Sequence, residues 1–115
     1  MDHPDIREFL ARIELFGGLT AEELARIAAM VVVEDVERGE LLFEEGAPRR
    51  HLHMIEKGEV ELFRRGAGGE SRLAFFEALD FLGEGSLLDD YPHSASARAL
   101  QDGRILRISR ESFAG

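Results

Sequence analysis

The sequence predicts a mainly β fold with flanking helices, of the jelly-roll barrel type that is also called a double-stranded β-helix. From Val32 onward, apolar and polar residues alternate in many short runs separated by glycine-containing turns, as expected for half-buried strands. Before Val32, two segments instead repeat apolar residues at the helical period. The chain has 115 residues and no cysteine, so we expect one small domain whose core needs no disulfide.

The first 31 residues are predicted to form two helices. The stripe of the first, over residues 3–16, consists of Ile6, Phe9, Leu10, Ile13 and Phe16. Thr20 begins the second helix, and Glu23 completes a T-x-x-E capping box three residues later. The inner stripe of this second helix consists of Leu24, Ile27, Ala28 and Val31. The two helices either present a face to a partner or cover the end of the sheet.

The β region is predicted to span residues 32–109. Lys57 and Gly58 make a tight turn inside it, and Ser109 is placed to cap a further helix that begins within residues 110–115. The predicted strands are residues 32–36, 41–44, 51–55, 59–64, 71–76, 94–100 and 104–108. The chain stops about where that last helix should begin, which suggests that the domain comes from a larger protein.

Composition narrows the possible functions. The formal net charge of -9 argues against a surface that binds nucleic acid. No apolar run approaches membrane-spanning length, and the N-terminus lacks the pattern of a signal peptide. The absence of cysteine fits a reducing compartment, so we predict a cytoplasmic protein. No G-x-S-x-G or phosphate-loop motif is present, and the sequence therefore predicts a protein that is not an enzyme.

Residues 81–99 carry the chemistry of a candidate ligand site. Gly83 and Gly85 allow the backbone to approach a ligand closely, and Ser86 follows them in the same turn. Free N–H groups in such a turn bind anions, whereas the carboxylate of Glu84 accepts hydrogen bonds from sugar hydroxyls. This combination is typical of a site for a sugar phosphate. Alternatively, Glu84 caps its own backbone and has no ligand.

Two short motifs in this segment, Gly83-Glu84 and Pro92-His93-Ser94-Ala95, resemble the phosphate-binding cassette of the cyclic nucleotide-binding domain family. Residues 15–20, 38–43 and 57–60 resemble other parts of the same fold, in the same order. The resemblance implies that Glu84 meets a ribose 2′-hydroxyl. It also implies backbone contacts from Gly83, Gly85 and Ser86, and a hydroxyl contact from Ser94.

Two positions depart from the family pattern. His93 stands where the family has its phosphate-pairing arginine, and Leu79 stands where the family often has glycine. Losing one charge-assisted contact weakens binding roughly ten- to a hundredfold. If the bound phosphate protonates His93, affinity should rise as the pH falls from 7.5 to 6. Arg98 is the nearest cation in sequence, and it either shares the face of Ser94 or lies in solvent.

The resemblance implies a regulatory sensor domain. It would bind cyclic AMP or cyclic GMP, with His93 completing the set of ligand-binding residues, and would control an effector region that this chain does not contain. No contact of this segment with nucleic acid or a membrane is expected. The alternative is a scaffold that has the fold but binds nothing. The sequence leaves the oligomeric state and the effector open.

A metal site of the cupin type is a second possible function. His51 and His53 share one face of a predicted strand, as paired metal ligands must, and Glu56 follows them. No later histidine repeats the rest of that pattern. The alternative is that the apolar residues at positions 52 and 54 face the core while both histidines lie outside.

Overall fold

The computed structural model describes residues 6–83 and 92–114. It shows a roll of two four-stranded antiparallel sheets, which confirms the predicted fold class. The helical elements are α1 (Ile6–Arg12), a 3₁₀ helix (Glu14–Phe16), α2 (Ala21–Ala28) and α3 (Arg110–Ala114). The strands are β1 (Val32–Val36), β2 (Leu41–Phe43), β3 (His51–Lys57), β4 (Glu59–Gly66), β5 (Gly69–Glu77), β6 (Phe81–Leu82), β7 (Ser96–Ala99) and β8 (Gly103–Ser109).

The strand order is β1-β8-β3-β6 in one sheet, called sheet A, and β2-β7-β4-β5 in the other, called sheet B. The chain passes from sheet A to sheet B between β3 and β4, where Gly58 has a φ of 107°. A side chain there would lie 3.1 Å from the Cα of Gly103, so the predicted Lys57-Gly58 turn needs glycine for two reasons. The turn between β3 and β4 therefore packs directly against the backbone at the start of β8.

Most predicted strands are confirmed within one or two residues at each end. The sequence did not predict β6, because this strand has only two residues and is too short to show an alternating pattern. Its Phe81 pairs with Met54 and its Leu82 pairs with His53. β7 is shorter than its predicted range of 94–100, since it begins at Ser96. The residues just before it pair instead with a loop, which becomes important at the candidate site.

The predicted helix over residues 3–16 is divided. Residues 3–5 lie outside the described residues, and α1 ends at Arg12 because Ile13 has extended backbone angles, φ -80° and ψ 126°. The division still leaves the whole predicted stripe in one core cluster, with Leu10 and Ile13 almost completely buried. The capping box of α2 is confirmed, with the Glu23 N–H donating to Thr20 Oγ1 and the Thr20 N–H donating to Glu23 Oε1.

The central strands of sheet A, β3 and β8, are buried on both faces, and the helices cover the outer one. Leu52, Met54, Leu106 and Ile108 pack against residues of α1 and α2 in one cluster. Ile55 and Ile105 point the other way, into a second cluster between the sheets. The helices thus cover one face of sheet A, whereas the sequence predicted that they cover the end of the sheet. No helix among the described residues is long and apolar enough to span a membrane.

Candidate functional site

Three of the six predicted ligand-binding residues meet at one cavity. Gly83, His93 and Ser94 line a space of about 220 Å³ whose described walls come from both sheets. The apolar part of this wall includes Phe43 of β2 and Leu62 of β4. Glu84, Gly85 and Ser86 lie outside the described residues. The cavity combines a glycine backbone, a hydroxyl, an imidazole and an apolar floor.

Gly83 follows β6 directly and lies against β3. Its φ is 84°, a conformation that glycine adopts without strain and other residues rarely do. A Cβ atom at this position would lie 2.7 Å from the carbonyl oxygen of His51 and 3.5 Å from Cδ2 of His53. The backbone of β3 therefore leaves no room for a side chain, and glycine lets the chain run close to it at the edge of the cavity.

A loop that follows β2 holds the segment containing His93. The Gly46 N–H donates to the His93 carbonyl and the His93 N–H donates to the Ala47 carbonyl, both at 2.9 Å. Pro48 forms an isolated bridge with Pro92, and the Glu45 N–H donates to Ser96 Oγ at 2.9 Å. These contacts fix the backbone on both sides of His93, so the direction of its side chain is set by two segments that are far apart in sequence.

The His93 imidazole stacks on Phe43, with ring centroids 3.8 Å apart and an angle of 9° between the planes. The residue is buried, and burial is the main cause that lowers the pKa of His93, with the nearby positive charge of Arg49 as a second cause. Both effects disfavour the imidazolium. His93 is therefore predominantly neutral near pH 7, and it contributes a planar ring and one N–H donor to the cavity rather than a charge.

Arg49 also lines this cavity, although no sequence pattern pointed to it. It comes directly after Pro48 and just before β3, so the same loop that holds His93 brings Arg49 beside it. The only signal in the sequence was an arginine next to a turn, which is too common to indicate a site. Its proximity to His93 depends on the pairing of two distant segments.

Arg98 takes neither of its two predicted positions. Its side chain is 26% exposed and lies in a charge network, where it binds Glu61 and Glu70. The guanidinium carbon is also 4.2 Å from the centroid of the Phe63 ring. Phe63 is buried and Arg98 does not line the cavity. Arg98 thus stabilises the outer face of sheet B and does not replace the missing charge at His93.

Within the described part of the chain, the histidines of β3 belong to no metal-binding group. No group of three or more histidine, cysteine, aspartate or glutamate side chains among the described residues could hold a metal ion. Leu52 and Met54 face the core as one alternative predicted, but His53 is not outside. It is 2% exposed, its ring centroid lies 5.4 Å from that of Phe43, and burial lowers its pKa to about 3. That prediction was wrong because β3 is buried on both of its faces, so alternation along it separates two buried sides.

Leu79 occupies the position at which a glycine was expected from the resemblance. Its φ is 77°, and it is the only residue other than glycine with a positive φ among the described residues. The Leu79 N–H donates to the Ile55 carbonyl at 2.8 Å, and the Ile55 N–H donates to the Asp80 carbonyl at 3.0 Å. The backbone thus keeps the conformation of a glycine while leucine occupies it, which indicates local strain just before β6.

Comparison with known proteins identifies the family. The model of the cyclic nucleotide-binding domain matches residues 33–115 of this chain. The chain belongs to the cyclic nucleotide-binding domain family. The match includes β6, the segment around His93 and the loop that holds it, so the cavity lies within the part of the chain that defines the family.

Individual relatives agree with this assignment. The chain is 34% identical over 105 residues to a cAMP-dependent protein kinase regulatory subunit of Aspergillus fumigatus, covering 91% of this chain and 25% of the relative. It is 31% identical over 107 residues to a CRP-like cAMP-activated global transcriptional regulator of Mycobacterium tuberculosis, covering 92% of this chain and 48% of the relative. The chain therefore spans less than half the length of these relatives.

A solved structure of a cyclic nucleotide-binding-like protein from Brucella abortus is similar over nearly its whole length. The TM-score is 0.84 at 27% identity, and the match covers 96% of this chain and 95% of that one. This similarity confirms the roll as the architecture of the family. The relatives named above are regulatory proteins.

Proposed function

We propose that this domain binds a cyclic nucleotide, cyclic AMP or cyclic GMP, in the cavity beside Gly83, and that binding controls an effector region outside this chain. The observation that carries the proposal is the meeting of Gly83 with the adjacent residues His93 and Ser94 at one cavity, although these come from two separate segments. A glycine turn and a serine hydroxyl are suitable donors to phosphate and ribose oxygens. Phe43 and Leu62 add apolar surface for a base or sugar face.

The remaining contacts of the proposal follow from the resemblance. Glu84 would accept a hydrogen bond from the ribose 2′-hydroxyl, and Gly85 and Ser86 would donate backbone N–H groups to the phosphate. The described part of the chain supports their position only through Gly83, the residue directly before them. Since the chain's relatives are regulators, we also propose a sensor rather than an enzyme, acting in the cytoplasm on an effector in the same or a partner chain.

The proposed output is a shift between two arrangements of the domain. Ligand contacts to Gly83 and to the segment of His93 would link β6 to the loop after β2, because both border the cavity. A ligand can move such an equilibrium only by the difference of its affinities for the two arrangements. The effector would report that difference.

Isothermal titration calorimetry with cyclic AMP, cyclic GMP and adenosine tests the binding proposal. We expect measurable heat with at least one cyclic nucleotide, and a rise of the melting temperature at millimolar ligand. His93→Arg should increase the affinity about tenfold, because it adds a permanent charge that can pair with phosphate. Absence of heat and of any melting shift at millimolar ligand would instead favour the scaffold without a ligand.

Repeating the titration at pH 7.5 and 6.0 shows which group neutralises the phosphate. If His93 does so by taking a proton, affinity rises toward pH 6, because the lowered pKa leaves His93 neutral in the free protein and binding must take up the proton. The charged or titratable groups that act on it are Arg49 and, beyond Phe43, His53. If an arginine neutralises the phosphate, affinity stays constant over this range because a guanidinium does not titrate there.

A further inference from the structure

We infer that the guanidinium of Arg49 is the cation that binds the anionic group of the ligand in this cavity. The inference rests on the proposed function and names a residue that the family resemblance did not indicate. Among the described residues that line the cavity, Arg49 is the one that carries a full charge. The other polar residues of that lining, His93 and Ser94, are neutral donors.

The charge of the whole chain makes a local cation important. With a formal net charge of -9, the chain repels an anionic ligand at long range, and neutral donors alone offset little of that repulsion. A guanidinium at the cavity wall places a positive charge close to a bound anion, where its attraction is stronger than at long range. It can also donate two parallel hydrogen bonds to the oxygens of a phosphate.

Backbone contacts fix the position of the chain immediately before Arg49. They are the Gly46 and Ala47 hydrogen bonds to His93, together with the bridge between Pro48 and Pro92. Arg49 is half-buried in this position, so its side chain has less conformational freedom to lose on binding than an exposed arginine has. The loop thus supplies a cation beside His93 from a second segment.

Two other arginines near this region are less suitable. Arg98 binds Glu61 and Glu70 on the outer face of sheet B. Arg64 donates from Nε to the carbonyl oxygen of Ser94 at 3.1 Å, but it is exposed and does not line the cavity. Arg64 is nevertheless the competing candidate, because a small movement of its side chain could bring its charge to a bound phosphate.

The experiment compares the affinity of cyclic AMP, cyclic GMP and adenosine for the wild type and for Arg49→Ala, Arg49→Lys, Arg50→Ala and Arg64→Ala. Arg50→Ala is the matched control, since Arg50 is the exposed neighbour with the same charge and does not line the cavity. We expect Arg49→Ala to weaken cyclic nucleotide binding about ten- to a hundredfold. Arg49→Lys should keep part of the affinity, because it retains the charge but not the paired donors.

Adenosine, which has no phosphate, should bind Arg49→Ala and the wild type equally within about twofold. Melting temperatures of all variants identify any that fail to fold, and Arg49→Lys then carries the comparison. Equal affinity of Arg49→Ala and Arg50→Ala for cyclic nucleotides would overturn the inference while leaving the proposed function intact. A larger loss in Arg64→Ala would overturn it in favour of Arg64. Failure of the wild type to bind any of the three compounds would instead remove the proposed function, and the inference with it.

Discussion

The two faces of sheet B differ in the side chains that they carry: the inner face is apolar and the outer face carries charged residues. On the inner face, Val60, Ala97 and Ala99 are buried between the sheets. On the outer face, Glu61 is 7% exposed and accepts hydrogen bonds from both Arg98 and Arg72. Hydrogen bonding to Arg98 is the main cause that lowers the pKa of Glu61. The charges of the outer face are thus paired with each other, and Arg49 lies apart from them, at the cavity.

The cation nearest to His93 in sequence, Arg98, is not the cation that acts on it in space, which is Arg49. Arg98 lies on the strand that follows His93, but its pairing with Glu61 across β4 places it on the outer face. Arg49 is distant in sequence, and the pairing of its loop with residues 92 and 93 brings it to the cavity. Arg98, with its two carboxylate partners, contributes stability, whereas the role that we propose for Arg49 at the cavity wall is in binding.

The largest expected effect concerns Arg98. Arg98→Ala removes the hydrogen bonds to Glu61 and Glu70 and leaves Glu61 as a buried carboxylate with a weaker partner, so the free energy of unfolding should fall by about 3 kcal/mol. Chemical denaturation measures this loss. The affinity for cyclic nucleotide should stay within about twofold of the wild type. The control is Arg26→Ala, whose exposed pair with Glu22 should be worth less than about 1 kcal/mol.

A loss in Arg98→Ala no greater than in Arg26→Ala would show that the network on the outer face adds little stability. If Arg98→Ala stays folded but loses ligand affinity, the conclusion that Arg98 contributes to stability and not to binding is wrong.

The next effect tests how strongly the space between the two sheets, where the His53 ring lies near Phe43, excludes charge. His53 has a folded pKa of about 3, below its unfolded value near ~6.5, so the unfolded chain binds its proton first as the pH falls. The contribution to stability is complete above pH 6.5 and is lost progressively down to pH 3, by about 1.4 kcal/mol per pH unit. The wild type should therefore lose about 2 kcal/mol more than His53→Leu between pH 6.5 and 5. Parallel curves of unfolding free energy against pH for the two proteins would show that His53 accepts a proton in the fold.

The smallest effect concerns Leu79, next to the strand that brings Gly83 to the cavity. Because φ is positive at this residue, Leu79→Gly should be more stable than Leu79→Ala by about 1 kcal/mol, although both lose the same packing to within a methyl group. Thermal and chemical denaturation of the pair give the difference. In α2, Ala25→Gly should show the usual opposite order, with glycine less stable by about 1 kcal/mol. If Leu79→Ala is the more stable of the pair, the left-handed conformation is not strained.

Much of the fold could be predicted because its patterns are local. Thr20 and Glu23 lie three residues apart and form the capping box that their types predict. Ser109 likewise accepts a hydrogen bond from the Ser112 N–H at the start of α3. β1 was predicted with its observed ends, because an alternating run between a helix and a glycine turn has few other conformations available.

The candidate site could be predicted only in part. Gly83, His93 and Ser94 were predicted from a resemblance, and the cavity brings them together. The environment of His93 could not be predicted, since its stacking on Phe43 joins β2 to the segment just before β7, which is distant in sequence. The direction of His53 was mispredicted for a similar reason, because alternation along β3 separates two faces without telling which of them is covered.

The sequence by itself determined the family, the type and order of the elements, and the residues that turn the chain, because each of these depends on neighbours within a few positions. Only the tertiary structure decided which charges lie at the cavity. Coulomb interactions and burial depend on distance in space, and pairing between remote segments sets those distances. The loop after β2 therefore placed Arg49 at the cavity, and the pairing of β4 with β7 turned Arg98 away from it.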